Sequence, residues 1–147
     1  YARRIFRASL AASASVASAA YNGLGDCLGC AALVTATSLN HWRDPVFGLR
    51  RAMDLAAVWS CAGYQLFVVS PRAPDGARAA YYGSVGAGAL CYLLARRANF
   101  VHRNLSASAW WHCGLHAAGN AGNMLLYDSL GQNWLGWARR AEQERAG

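Results

Sequence analysis

Long uncharged stretches alternate with short polar breaks along the chain. Asp26 is the only charged residue between Arg7 and Arg43, and the stretches 55–71, 79–95 and 104–127 contain no charged side chain. A helix needs about 20 mostly apolar residues to cross the hydrocarbon core of a bilayer. The pattern therefore predicts an all-α integral membrane bundle of four transmembrane helices, over residues 18–41, 51–70, 79–96 and 106–128.

A soluble bundle of four buried helices is the alternative to this interpretation. A surface helix of a soluble bundle carries a charged face that repeats about every 3.6 residues. None of the four segments shows such a face. The pattern therefore favours the membrane, with the whole chain, 1–147, as one membrane domain.

Small residues recur at three- or four-residue spacing within the predicted spans. In lipid, helices associate by close contact, and small residues collect where they meet. We therefore expect contact faces at these positions, although an alanine-rich chain also produces such spacings by chance: Gly25 and Gly29, Ala32 and Ala36, Gly83 and Ala87, and Gly119 and Gly122.

The predicted spans end at clear polar boundaries. Asn40–Pro45 contains charges, a tryptophan and a proline, and 70–76 is rich in turn residues. After Gly131 the chain becomes polar, and Trp134–Arg145 is predicted to form a short amphipathic helix on the membrane surface.

The charge of the chain is strongly basic and comes entirely from arginine. There are 14 arginines, no lysine and seven acidic residues, for a net charge of +7. Four spans would place eight arginines on one side and six on the other, which leaves the orientation undecided. Arginines on both sides favour anionic headgroups or acidic partner subunits over nucleic acid.

The first residues suggest a compartment. Tyr1–Ser15 contains arginine and no acidic residue, which is typical of the remnant of an organelle transit sequence. We therefore expect an organellar membrane, either the plastid thylakoid or the mitochondrial inner membrane.

Four titratable residues are predicted to lie on one side of the membrane. His41 ends the first span, Asp54 lies near the start of the second, and His112 and His116 lie one and two turns into the fourth. Polar groups in a span usually face the interior of the bundle. His112 and His116 share a helix face, which Asn120 and Asn123 extend: the stripe runs His112, His116, Asn120, Asn123.

Three interpretations of these histidines follow from their chemistry. An H-x-x-x-H pair can hold zinc through two imidazole nitrogens, with His41 or Asp54 as further ligands and one position for an activated water. The histidines can instead ligate a haem iron or the magnesium of a chlorophyll, with His41 facing His112 or His116 across one ring. The third interpretation is that they only form hydrogen bonds within or between chains.

The order of these residues resembles that of the CREST membrane superfamily, which includes alkaline ceramidases and the progestin and adipoQ receptors. The motifs are Thr37-Ser38-Leu39-Asn40-His41, Met53-Asp54-Leu55 and His112-x-x-x-His116. The resemblance implies zinc-dependent hydrolysis of lipid amides. His41, His112 and His116 would bind zinc, Asp54 would orient water, and Thr37 would stand where the family has serine.

The small size of the chain favours a role within a larger assembly. We expect an accessory subunit of a photosynthetic or respiratory membrane complex, without catalytic residues, that contacts pigment, haem or lipid through His41, His112 and His116. Its expected partners are membrane subunits and lipids, with no nucleic acid and no soluble substrate. The alternative is a metal-dependent lipid amide hydrolase of reduced CREST type, with the metal at His41, Asp54, His112 and His116.

Overall fold

A computed structural model describes residues 1–131, and this part of the chain consists of helices and turns with no strand. The all-α prediction is therefore confirmed. The predicted surface helix Trp134–Arg145 lies outside the described residues. The helices are α1 (Ala2–Leu10), α2 (Ser13–Tyr21), α3 (Gly25–Arg43), α4 (Leu49–Tyr64), α5 (Asp75–Phe100) and α6 (Leu105–Leu130).

The first two helices form one continuous rod. Ala11 and Ala12 keep right-handed helical backbone angles, and their N–H groups bond to the carbonyls of Ala8 and Ser9. One side of the rod, Ala2–Tyr21, packs on α3 and α6. The buried positions recur every three or four residues, as one face of a helix requires: Ile5, Ser9, Ala12, Ser15, Ala19 and Asn22.

The predicted first span, 18–41, is wrong in its extent because the chain turns at Asn22–Leu24. Gly23 has a φ of 69°, in the left-handed region that glycine adopts without strain. The break separates the α1–α2 rod from α3, which runs back along it. The described chain thus contains five rods where four were predicted: α1–α2, α3, α4 with its extension, α5 and α6.

The direction of each rod follows from contacts at its ends. The Tyr1 ring lies 6.0 Å from the Trp42 ring at the end of α3, and Asn22 bonds to Asp128 near the end of α6. The α1–α2 rod is therefore antiparallel to α3 and parallel to α6. We call the two ends of the bundle the Trp42 end (with Tyr1, Gly48 and Leu105) and the Asp26 end (with Asn22, Arg72 and Leu130).

The other predicted segments lie within longer helices. Segments 79–96 and 106–128 fall inside α5 and α6, and 51–70 inside α4 and its extension. That extension is a π-helical turn, Gln65–Val69, followed by a 3₁₀ turn, Ser70–Arg72. Within residues 1–131, Leu49–Arg72, with 24 residues, is the one segment that is long and apolar enough to cross a membrane by length and composition, and an 18-residue stretch within it has a mean hydropathy of 1.3.

Close packing of α5 on α6 depends on three glycines. A Cβ at Gly114 would lie 3.0 Å from Cys91 Sγ, and one at Gly122 would lie 2.7 Å from Ser84 Cβ. Gly88 similarly lies against Leu115. Of the predicted contact positions, Gly122 therefore belongs to a helix interface. Gly25, Gly29, Gly83 and Gly119 do not, because nothing lies within 4 Å of the Cβ that each would carry.

Candidate functional site

The structure brings the predicted histidines together at the Trp42 end through a row of ring contacts. The His41 and Trp42 ring centroids are 4.7 Å apart, and Trp42 is 4.9 Å from His112. The row continues along α6, where His112 and His116 are 5.2 Å apart. Trp42 marked only the end of a span in the sequence, whereas in the fold its buried indole links α3 to α6.

Asp54 is held by a serine of the neighbouring helix. Ser38 Oγ donates a hydrogen bond to Asp54 Oδ1 over 2.5 Å, and both residues are buried between α3 and α4. The Thr37 hydroxyl instead donates to backbone carbonyls of its own helix, at Leu33 and Val34. Ser38, rather than Thr37, is therefore the hydroxyl residue that faces the carboxyl group.

Ser9 of α1 completes this cluster, and the sequence interpretation missed it. Ser9 Oγ lies 3.3 Å from His116 Nε2 and donates its own hydrogen to the Ile5 carbonyl over 3.0 Å. With that hydrogen engaged, His116 bonds to Ser9 as a donor through a protonated Nε2, and its Nδ1 then carries the lone pair. The signal for Ser9 was its place in the three-to-four repeat of small residues along 2–21.

The polar stripe of α6 packs against the same rod. Ser15 Oγ donates to Asn120 Oδ1 over 2.5 Å, and Asn120 Nδ2 donates to the His116 carbonyl. In the last turn of α6, Asp128 Oδ1 accepts a hydrogen bond from Asn22 Nδ2 over 2.8 Å. Together with the bond from the Arg4 guanidinium to Ser106 Oγ, four hydrogen bonds between side chains thus join the rod to α6 along its length, at Arg4, Ser9, Ser15 and Asn22.

The side chains do not converge on a common point where a metal ion could sit. Within residues 1–131, no group of three or more His, Cys, Asp or Glu side chains has metal-binding geometry. Asp54 is engaged by Ser38, and the Trp42 indole contacts both His41 and His112. Within residues 1–131, His41 Nδ1 is a buried ring nitrogen without a hydrogen-bond partner. As arranged, the set does not fit a three-histidine zinc site.

The Trp42 indole also occupies the space that a haem or chlorophyll ring between His41 and His112 would need. A planar macrocycle ligated by both His41 and His112 needs open space between two imidazoles. In the structure, Trp42 touches both rings, at tilts of 59° and 64°. A macrocycle would have to displace this buried side chain, so the arrangement does not fit one held between these two histidines.

A second polar cluster lies at the Asp26 end. Asp26 accepts hydrogen bonds from Tyr64 Oη over 2.7 Å and from the Arg72 guanidinium over 3.0 Å. Deeper in the bundle, Gln65 in the π-helical turn donates to Tyr127 and accepts from Tyr81. This cluster ties α3, α4, α5 and α6 together.

The structure corrects the predicted distribution of arginines. Because Tyr1 lies at the Trp42 end, the arginines of α1 join those of the loops there rather than those of the opposite side. Within residues 1–131, the Asp26 end has Arg72 and Arg78. The Trp42 end has nine: Arg3, Arg4, Arg7, Arg43, Arg50, Arg51, Arg96, Arg97 and Arg103.

Comparison with known proteins gave no relative: no protein family, curated protein or solved structure matches this chain.

Proposed function

We propose that this chain is a multi-pass membrane protein that acts as an accessory subunit, packed against other helices in a larger membrane complex. The observation that carries this proposal is an outward face of small residues on α3. Gly25, Gly29, Ala32 and Ala36 are all exposed, although such a stripe normally lies where one helix meets another. A helix of another subunit would fill this face.

The rest of the surface supports a membrane location. Large apolar side chains point outward on α4 and its extension, α5 and α6, with Phe67 81% exposed and Trp59 69% exposed. Large exposed apolar patches typically mark surfaces that meet a membrane or another protein. At roughly 1.5 Å per residue, Ala2–Tyr21 is about 30 Å long, close to the thickness of a hydrocarbon core. The choice of a photosynthetic or respiratory complex, and of plastid or mitochondrion, stays a prediction from the sequence.

In this proposal, the polar cluster at the Trp42 end holds helices together. Hydrogen bonds between helices contribute about 0.6 kcal/mol each in a membrane protein. Ser9 with His116, and Ser38 with Asp54, each join two different rods. The cluster thereby fixes the shape of the surface that meets the partner.

Purification from membranes tests the proposal. The double variant Gly29→Leu, Ala32→Leu fills the α3 face, and Ala117→Leu is the matched control, because Ala117 is an exposed alanine on α6 outside that face. We expect the wild type and Ala117→Leu to co-purify with the same membrane subunits after mild detergent extraction. The double variant should lose them while its helix content is unchanged. Recovery of the wild-type chain as a monomer, without other subunits, would contradict the proposal.

A metal-dependent lipid amide hydrolase of reduced CREST type is the second candidate, and it requires the histidines to rearrange, because as placed they do not form a zinc site. It is favoured by one observation, namely that Ser38, His41, Asp54, His112 and His116 occupy one end of the fold although they are far apart in sequence. Metal analysis of the purified chain tests it. One equivalent of zinc, lost in His116→Ala, would support the hydrolase, and absence of zinc together with co-purified subunits would support the accessory role.

A further inference from the structure

A cleft of about 310 Å³ opens at the Trp42 end, where α5 ends and α6 begins. Its polar lining comes from Arg97, His102 and Asn104, and Trp111 forms one wall. Leu94 and Ala98 supply apolar surface. A cleft of this size, with few polar groups on an apolar lining, suits a small ligand or the polar head of a larger one.

The cleft has positive charge and no acidic side chain of its own. Residues 76–127 contain no aspartate or glutamate, and the three ion pairs found within residues 1–131 are formed by other arginines: Arg50, Arg72 and Arg78. Neighbouring Arg96 is placed differently from Arg97, because its guanidinium lies over the rings of Tyr92 and Phe100, 5.9 and 5.3 Å from their centroids. The Arg97 guanidinium is therefore the cationic group in the cleft that can bind an anion.

A tight turn places His102 beside Arg97. The N–H groups of Val101 and His102 both bond to the Arg97 carbonyl. Arg103 then adopts a left-handed φ of 52°, which is uncommon outside glycine. Asn104 caps α6 by accepting a hydrogen bond from the Ala107 N–H over 2.9 Å, which fixes the other edge of the cleft.

We propose that this cleft binds a phosphate oxyanion, and that its source is the headgroup of an anionic lipid. A guanidinium pairs with phosphate through two parallel N–H bonds, and an imidazole beside it adds a third donor. Trp110 and Trp111 are exposed at this level, as tryptophans are where a membrane meets water. Basic pockets between transmembrane helices bind anionic headgroups in this way. The lipid source, though not the phosphate chemistry, rests on the membrane location proposed above.

Binding measurements on the full-length chain in detergent test this site. The probes are phosphatidylglycerol, phosphatidylcholine and inorganic phosphate, titrated separately and followed by native mass spectrometry for lipids and calorimetry for phosphate.

The variants are Arg97→Gln and its matched control Arg96→Gln, which removes an adjacent positive charge outside the cleft. We expect phosphatidylglycerol to bind more tightly than phosphatidylcholine, and Arg97→Gln to weaken it about tenfold, as loss of a charge-assisted hydrogen bond does. Arg96→Gln should bind like the wild type.

Each result identifies or excludes the ligand. Arg97-dependent binding of phosphatidylglycerol assigns the lipid source, whereas Arg97-dependent binding of inorganic phosphate alone assigns the free ion and keeps the phosphate chemistry. Equal losses in Arg96→Gln and Arg97→Gln, or no loss in either, would overturn the site. The phosphate titration does not need a membrane, so it remains decisive for the cleft even if the chain proves stable in water without detergent.

Discussion

Ser38 and Asp54 share a hydrogen bond of 2.5 Å across the interface of α3 and α4, and both side chains are buried there. Few other polar contacts join these two helices. One of them, the hydrogen bond from Tyr64 to Asp26, lies at the opposite end of the helices. The hydrogen bond between Ser38 and Asp54 therefore holds α4 against α3 at the Trp42 end.

Replacing Ser38 by alanine should destabilise the bundle. The change leaves the buried Asp54 carboxyl group without its donor, which costs about 1–3 kcal/mol of unfolding free energy. Denaturant unfolding in mixed micelles measures the loss. The double variant Ser38→Ala, Asp54→Leu lacks both partners. Adding Asp54→Leu to Ser38→Ala should therefore lower the unfolding free energy by less than Asp54→Leu lowers it in the wild type. An unfolding free energy for Ser38→Ala equal to that of the wild type would show that the contact contributes nothing.

Gly122 and Gly119 should respond in opposite ways to alanine. A methyl group at Gly122 would meet Ser84 Cβ at 2.7 Å, a contact that requires α5 and α6 to move apart, whereas a methyl group at Gly119 meets nothing within 4 Å. Gly122→Ala should therefore cost about 1–3 kcal/mol. Gly119→Ala should be neutral or stabilise α6 by up to about 1 kcal/mol. Thermal unfolding of both variants in one detergent compares them directly, and equal midpoints would contradict the packing described.

These two glycines show what the sequence could not reveal. Small residues three or four positions apart identify a helix face that can approach another helix, but the spacing does not say whether that face packs within the chain or points outward. Gly122 contacts α5, while Gly25 and Gly29 on α3 have the same pattern and face outward. The helices were easier to predict, because the long uncharged stretches place α4, α5 and α6 within a few residues of their observed positions.

The α1–α2 rod was missed for a different reason. Its buried face consists mainly of serine and alanine, with Ile5 the one large apolar side chain, so the segment lacks the long apolar run by which the other helices were predicted. The three arginines near its start were also interpreted as part of a transit-sequence remnant rather than of a packed helix. For the candidate site, alternation of helices was enough to bring His41, Asp54, His112 and His116 to one end. The partner Ser9 belongs to the extra rod, and the contact of Trp42 with His112 depends on how α3 and α6 are placed, so the sequence alone did not reveal either.

The Gln65 amide should be sensitive to loss of the Tyr127 hydroxyl. Gln65 Nε2 donates to Tyr127 Oη over 2.9 Å in a buried site within the π-helical turn. Tyr127→Phe leaves that donor unpaired and should cost about 1–3 kcal/mol. Tyr82→Phe is the control, because Tyr82 is exposed and the Ser70 hydroxyl that bonds to it also has the Leu66 carbonyl. Circular dichroism during thermal unfolding distinguishes the two, and equal effects would show that burial of the network is unimportant.

The arginine-rich Trp42 end should face the side of the membrane from which the chain is inserted. Positive residues in short loops are retained on that side, and acidic residues contribute little to the choice. With nine arginines at the Trp42 end and two at the Asp26 end of the described residues, the charge bias between the two ends is large, whereas the predicted four-span arrangement gave almost none.

Single cysteines at Phe47 and at Pro74, in a variant whose five native cysteines are replaced by alanine or serine, report the two ends, since both positions are exposed. In sealed membranes, a thiol reagent that cannot cross lipid should label position 47 only from the insertion side and position 74 only from the opposite side. Labelling of both positions from one side would mean that the two ends do not lie across a bilayer.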